Sequence, residues 1–361
     1  AAPRQRDGIK VRGLGVGMGY HSAGGSGYDG LVRITPDGRI HLHSGVGNLG
    51  TYSYASTARA AAEVLQCSWE SCEIHRGSTD NHLPNSSTQG GSNTIFTHTR
   101  ANWVAAEDAV VKLKEIARTE FGGSVDDYSI AEERVFKTSD SSQGLSYGEA
   151  AAKAIELGGR YNGEEYPDDI HPITQRAVQG IAGSGLVGVA RDNLPKSGIA
   201  PGLMVSMAEI EVDLETGKYE ILDYLGIADC GTIIHPQGLS QQINGGAVWG
   251  FGMAGSEHYV YDPQNALPAN LGMYQAKLPT MLDVPAEMPN GAVDLPDPYN
   301  PAGGRGVGEP SQGSAVAAIT SAISDALNGH LFNRVPVTPD MIVNFAANNE
   351  QEAKLLALNT F

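Results

Sequence analysis

The chain has 361 residues, 41% hydrophobic and 18% charged, which supports one large domain or two ordinary ones and excludes an intrinsically disordered polymer. Its 24 basic and 41 acidic residues leave a net charge of −17, which repels nucleic-acid phosphates and anionic lipid and excludes both as partners. Three cysteines, Cys67, Cys72 and Cys230, are too few for a disulfide framework or an iron–sulfur centre, and no apolar run approaches the roughly 20 residues of a membrane span. A reducing, cytoplasmic location is expected, with the periplasm as the alternative.

Residues 31–43, LVRITPDGRIHLH, alternate apolar and polar on both sides of Pro36-Asp37-Gly38 and predict a hairpin. A glycine loop, SGVGNLG, then feeds an Ala-rich helix over 51–66. A short strand begins at Cys72, a small polar loop occupies 84–94, and interspersed charges predict a helix from about Arg100 to Arg118. Residues 119–200 carry a weaker pattern, with one helix at YGEAAAKAIEL. A second hairpin spans 206–229 and turns at Glu215-Thr216-Gly217, followed by a loop and a Gly/Ala-rich helix to 254. The proline-rich stretch 261–305 predicts extended loops wrapping a surface. A glycine loop then enters a buried helix stopping at Asn328-Gly329, and Pro339 opens a short terminal helix. The fold class is mixed α/β in two lobes: 1–134, a variable excursion over 135–195, and 196–361. A strand, a glycine-rich loop and a small-residue helix recur near 41–65, 226–254 and 303–328. Such junctions are able to converge on one ligand.

Gly45, Gly47 and Gly50 spell G-x-G-x-x-G between a strand and a helix, with Glu70 where a ribose-binding acid would fall. This supports NAD(P) binding as an alternative, weakened by the flanking hairpins. Glu309 sits in GGRGVGEP, residues 303–310, before an almost uncharged helix. It reads either as an acid favoured by the helix dipole or as a buried base on a loop that a ligand approaches closely. In the polar loop, Ser86, Ser87, Thr88, Ser92 and Thr94 offer hydroxyl donors, though such loops are mostly solvated turns. His41 and His43 share a strand face as a metal pair would, but no third ligand follows at a sensible spacing.

Taken in order, these segments resemble the molybdenum hydroxylases of the xanthine dehydrogenase/aldehyde oxidase type. GVGNLG is similar to that family's glycine loop and PNSSTQGGSNT to its serine-rich pterin loop. DCGTIIHPQGLSQQINGGAVWGFGMA resembles its glutamine-bearing helix. GVGEP with AVAAITSAISDAL and PVTPDMI resembles its C-terminal signature. The likeness covers 10–118 and 196–345.

The resemblance implies Glu309 as catalytic base. It implies Gly47, Gly50, Thr51, Ser92, Thr94, Gln242, Gly306 and Gly308 around a molybdenum–molybdopterin cofactor, in its cytosine dinucleotide form. Gly90 and Gly91 would lie beneath the substrate, with Tyr20 and His21 clamping it. The metal would be held through the pterin dithiolene, not by the protein.

The implied reaction inserts water-derived oxygen into an aldehyde or N-heteroaromatic substrate. Electrons would leave through [2Fe–2S] clusters and FAD on partner subunits. Two departures stand out. Gly50-Thr51-Tyr52 replaces the family's G-Q-G, and the arginine–glycine–phenylalanine–glycine loop of a chain twice this length is missing. A split subunit follows, with a second chain supplying the N-terminal half of the site. A non-catalytic assembly subunit is the further alternative.

Overall fold

The computed structural model describes residues 6–86 and 88–348; Ser87 of the polar loop lies outside them. Strands β1 (Arg6–Asp7), β2 (Lys10–Ser22), β3 (Asp29–Ile34) and β4 (Ile40–His43) come first, and β3 and β4 form the expected hairpin. Helix α1 (Ser53–Val64), strand β5 (Cys72–His75) and helix α2 (Thr94–Phe121) follow. Next come β6 (Tyr128–Ala131), β7 (Arg134–Lys137), β8 (Asp140–Ser146), α3 (Tyr147–Leu157), α4 (Pro172–Ile181) and β9 (Leu186–Arg191). The second hairpin pairs β10 (Pro201–Asp213) with β11 (Tyr219–Asp229). Helix α5 (Pro236–Gly255), the short α6 (Met273–Ala276), β12 (Asn290–Ala292), α7 (Gly308–Ala326) and α8 (Pro339–Ala346) complete the order.

Helix α2 starts six residues before Arg100. Its first turns, Thr-Ile-Phe-Thr-His-Thr, are β-branched or aromatic and intrinsically poor helix formers, yet Phe96, Thr97, His98 and Thr99 are buried. Packing overrides propensity there. The stretch 135–195 contributes β9, which pairs with β3 along its length and completes a four-stranded sheet ordered β5-β4-β3-β9. Strands β6, β7 and β8 form a three-stranded sheet. Its Val135 and Leu145 join Leu113, Ile116 and Tyr147 in the core that the first sheet shares with α1 and α2.

The other layer is a five-stranded sheet ordered β1-β2-β10-β11-β12. Strand β2 reads G-L-G-V-G-M-G-Y from Gly13 to Tyr20, with the glycines buried and Leu14, Val16, Met18 and Tyr20 exposed. A Cβ on Gly13, Gly15, Gly17 or Gly19 would collide with the carbonyl oxygen of Ala322, Ala318, Ser314 or Pro310 of α7. The match is geometric. Two residues of strand advance about 6.6 Å and four residues of helix about 6.0 Å, so alternate glycines meet successive turns. Helix α7 therefore rests backbone-on-backbone along β2.

Fully buried Arg100 ties α2 to the later chain. Its Nε and Nη2 donate to the two Asp192 oxygens at 2.8 and 3.0 Å. Nη2 also donates to the Leu194 carbonyl, and Nη1 to the carbonyls of Pro195 and Tyr299. All five guanidinium N–H groups are thereby used.

The proline-rich stretch lies against the body as expected only in its second half, where β12 pairs with β11 and Asn300 donates to the Phe96 carbonyl. Between α5 and β12 it stands off as an arm, with Met281 93% and Leu282 95% exposed. Its polar side chains close turns on its own backbone. Asp262 accepts from the Gln264 amide, Asn270 from the Val260 amide and Asp283 from the Thr280 amide. Local bonds of this kind relieve the arm of any need for a surface of this chain.

Candidate functional site

The N-terminal turns of α1, α2, α5 and α7 meet around a cavity of about 420 Å³. Thr51, Ser53 and Ser56 reach it from α1, Ser92, Thr94 and Ile95 from α2, and His235, Gly238 and Gln242 from α5. Gly308 and Glu309 reach it from α7. None of α1, α2 and α5 has an acidic residue in its first turn; α7 has Glu309. The positive ends of four helices thus face one space with a single carboxylate to offset them, which suits an anionic ligand.

Glu309 is half-buried and does not cap its own helix. Its Oε1 accepts from the Gly91 amide at 3.0 Å, and its Oε2 from the Ser92 hydroxyl. The Ser92 oxygen in turn accepts from the Glu309 amide at 2.8 Å. Ser92 has φ 53° and Gly91 φ 68°, a left-handed pair that turns both groups toward α7. Gly306 lies beneath, where a Cβ would overlap the Ser92 carbonyl, and a Cβ on Gly308 would press on Gln242 and Ser92 at 3.2 Å each. The carboxylate is held by a loop more than 200 residues away in sequence, and that favours a positioned base over a capping acid.

Of the residues singled out from the sequence, Thr51, Ser92, Thr94, Gln242, Gly306, Gly308 and Glu309 line this cavity. Gly91 donates to Glu309, and the His21 ring lies beside Gly91, 3.4 Å from where its Cβ would be. A Cβ on Gly90 would meet Thr88 Oγ1 at 4.0 Å. Gly50 takes a left-handed turn with its amide on Asn48 Oδ1, and Gly47 lies under Gln89, so neither faces the cavity. Tyr20 does not reach it either. Strand alternation puts it on the outer face of the sheet with Met18.

The G-x-G-x-x-G loop does join β4 to α1 and on to the parallel strand β5. However, Ser86 Oγ accepts from the Gly45 amide at 3.1 Å, and a Cβ on Gly45 would meet Pro84 and Ser86, so these residues cover the loop. His41 and His43, expected to find no third ligand, are met by Glu73 and His75 from β5.

Sequence reasoning passed over Gln89 and Arg305. Gln89 Nε2 donates to Ser53 Oγ at 3.3 Å, and Ser53 Oγ is 2.9 Å from Thr51 Oγ1. Arg305 pairs with Asp229 and, at 3.6 Å, with Asp297. The only sequence signals were an amide among hydroxyls and a lone cation in a glycine loop.

Fold and cavity together define a domain in which four helix N-termini meet at a cavity suited to an anionic ligand, next to one fixed carboxylate. A model of the molybdopterin cofactor-binding domain matches residues 1–285, and the chain belongs to that family. It is 28% identical over 338 residues to the 6-hydroxypseudooxynicotine dehydrogenase complex subunit gamma of Paenarthrobacter nicotinovorans, covering 93% of this chain and 40% of that one. It is 24% identical to the aldehyde oxidoreductase molybdenum-binding subunit PaoC of Escherichia coli K12, covering 95% and 42%. The structure of quinoline 2-oxidoreductase from Pseudomonas putida 86 matches with a TM-score of 0.74 at 23% identity, covering 95% of this chain and 42% of that one. That of CO dehydrogenase from Oligotropha carboxidovorans matches at 0.75 and 21%, covering 94% and 41%. At such identity these structures establish the shared fold. The chain spans about 40% of the length of the first of these relatives.

Proposed function

We propose that this chain forms part of a molybdenum-dependent oxidoreductase acting on an aldehyde or N-heteroaromatic substrate, with Glu309 as the base. The observation that carries this is the Glu309 carboxylate, fixed by Gly91 and Ser92 at the meeting point of the four helix N-termini. The cavity suits the cofactor. Ser53, Ser56, Ser92 and Thr94 offer hydroxyls, Gln89 and Gln242 offer amides, and Gly245 faces open space where a Cβ would meet nothing within 4 Å. When bound, the molybdenum cofactor supplies the two-electron redox and oxygen-transfer chemistry.

The protein's own part is to bind, orient and move one proton. A carboxylate has about four lone-pair directions, and the Gly91 and Ser92 bonds use two of them. The remaining directions are free to take a proton on the cavity side. Ser92 both donates to the carboxylate and accepts from the Glu309 amide, so it fixes the rotamer. Thr51 is too short to replace a glutamine, and Gln89, two hydrogen-bond steps away through Ser53, supplies the amide instead. His21 lies close enough to Gly91 to border the substrate; Tyr20 takes no part in this reading.

The rest of the site is assigned to a second molybdopterin-binding chain, with iron–sulfur and flavin groups on further subunits and the cofactor in its cytosine dinucleotide form. The exposed apolar face of β2 and the exposed arm support an assembly. The test is Glu309→Gln in the purified complex. Molybdenum content is expected to hold while kcat falls about 10²–10⁴-fold. Full turnover with molybdenum retained would remove the base assignment.

A further inference from the structure

Strand β4 carries His41 and His43, and its parallel neighbour β5 carries Glu73 and His75. His41 is opposite Glu73 and His43 opposite His75. Residues two apart on a strand, and residues directly paired across strands, share a face, so this register gathers all four side chains. His41 Nδ1 and His75 Nε2 are 2.8 Å apart. Glu73 approaches the first at 3.8 Å and the second at 3.4 Å. The His43 ring stacks on His75 with centroids 4.8 Å apart.

The His41 ring is oriented from behind. Thr35 Oγ1 lies 2.5 Å from Asp37 Oδ1, 3.2 Å from the Arg39 carbonyl and 3.1 Å from His41 Nε2. A carboxylate and a carbonyl only accept, so the single Thr35 proton goes to them, and Thr35 Oγ1 accepts from His41 Nε2–H. The neutral ring then has its lone pair on Nδ1, aimed at His75 and Glu73. Outer-shell chains of this type set the tautomer of metal-ligating histidines. Arg33, opposite His41 on β3, is the cation facing this group and donates to Ser184 Oγ at 3.1 Å; Glu73 and Asp37 are the carboxylates that face it.

We infer that His41, Glu73 and His75 bind a divalent transition metal of the zinc class, at a site none of whose residues lines the cavity beside Glu309. Their ligand atoms lie within 4.8 Å of one another. Two imidazole nitrogens and one carboxylate oxygen suit zinc, with water in the fourth position. Tetrahedral bonds of about 2.05 Å need the two nitrogens about 3.3 Å apart, which a small ring rotation provides. The metal replaces the hydrogen bond between His75 Nε2 and His41 Nδ1, and the proton passes to His75 Nδ1. Glu73, 51% exposed, leaves a route from solvent. Strand β4 runs on into the glycine loop and β5 into the segment carrying Gln89 and Ser92, so the metal clasps the roots of two cavity-lining segments.

The test strips the full chain, in its purified complex, with a chelator and titrates it with Zn²⁺ alone or Co²⁺ alone. One zinc per chain should survive buffer exchange, Co²⁺ should show tetrahedral ligand-field bands, and zinc at a hundredfold excess over its Kd should raise Tm by about 4 °C. Glu73→Ala and His75→Gln should each weaken zinc binding at least tenfold and leave molybdenum content unchanged, which separates this site from the cofactor reading. If His75→Gln does not fold, Glu73→Ala decides alone, because its side chain is half exposed. No zinc retained by the wild-type chain, or equal retention and equal Tm shift in the variants, overturns the proposal.

Discussion

Arg100 shows how one side chain fixes the distance between segments far apart in sequence. Removing it would strand Asp192, whose side chain is fully buried, without its cation. Arg100→Met should therefore destabilise the fold by about 3–5 kcal/mol, read from urea unfolding midpoints. Another buried group sets an acid limit. His98, held down to about 4 by burial, is neutral in the fold, whereas its ordinary value is 6.5. Between those values the unfolded chain binds the proton more readily, so stability is intact above pH 6.5 and falls as pH drops toward 4. His98→Leu should flatten the dependence of the unfolding midpoint on pH across that window; an unchanged slope would clear His98 of the role. Glycines flanking an isolated acid singled out Glu309 at this scale but left cap and base both open, and the base role came from the family resemblance. Gln89 and Arg305 were not singled out, because the partners that give them meaning, Ser53, Asp229 and Asp297, come from other elements.

Among the elements, the β2–α7 seam has the clearest consequence. Gly15→Ala or Gly17→Ala would push a Cβ into the α7 backbone, where no side chain is available to yield. Overpacking of this kind costs about 1–3 kcal/mol or more. Because α7 starts at Gly308, the same change should shift Glu309 and lower kcat. The check is calorimetric unfolding alongside turnover, and Gly245→Ala, with open space around its Cβ, is the control for stability. The two hairpins were readable because period-two alternation marks a half-buried strand. Strand β9 was harder: Leu186–Val189 is buried throughout, so its polarity carries no period. The beginning of α2 was missed for the opposite reason, since Thr94–Thr99 look unlike a helix until Phe96 and Thr97 are seen in the core. The seam itself was on the page as alternate glycines, but its partner lies some 300 residues later.

As a whole molecule, the chain exposes Leu14, Val16, Met18 and Tyr20 along one strand, and Leu271, Tyr274, Met281 and Leu282 along the arm. Apolar surface of this kind fits the assembly proposed above. Met281→Asp with Leu282→Asp should abolish co-purification with the other subunits and leave the melting curve of this chain unchanged, since neither side chain touches the core. Retained co-purification would assign the interface elsewhere. The arm's turns already close on Asp262, Asn270 and Asp283, so little backbone has to be ordered when it docks. Assembly should then proceed as the meeting of two shaped bodies, in a single kinetic phase whose rate rises linearly with partner concentration and shows no plateau from a slow folding step.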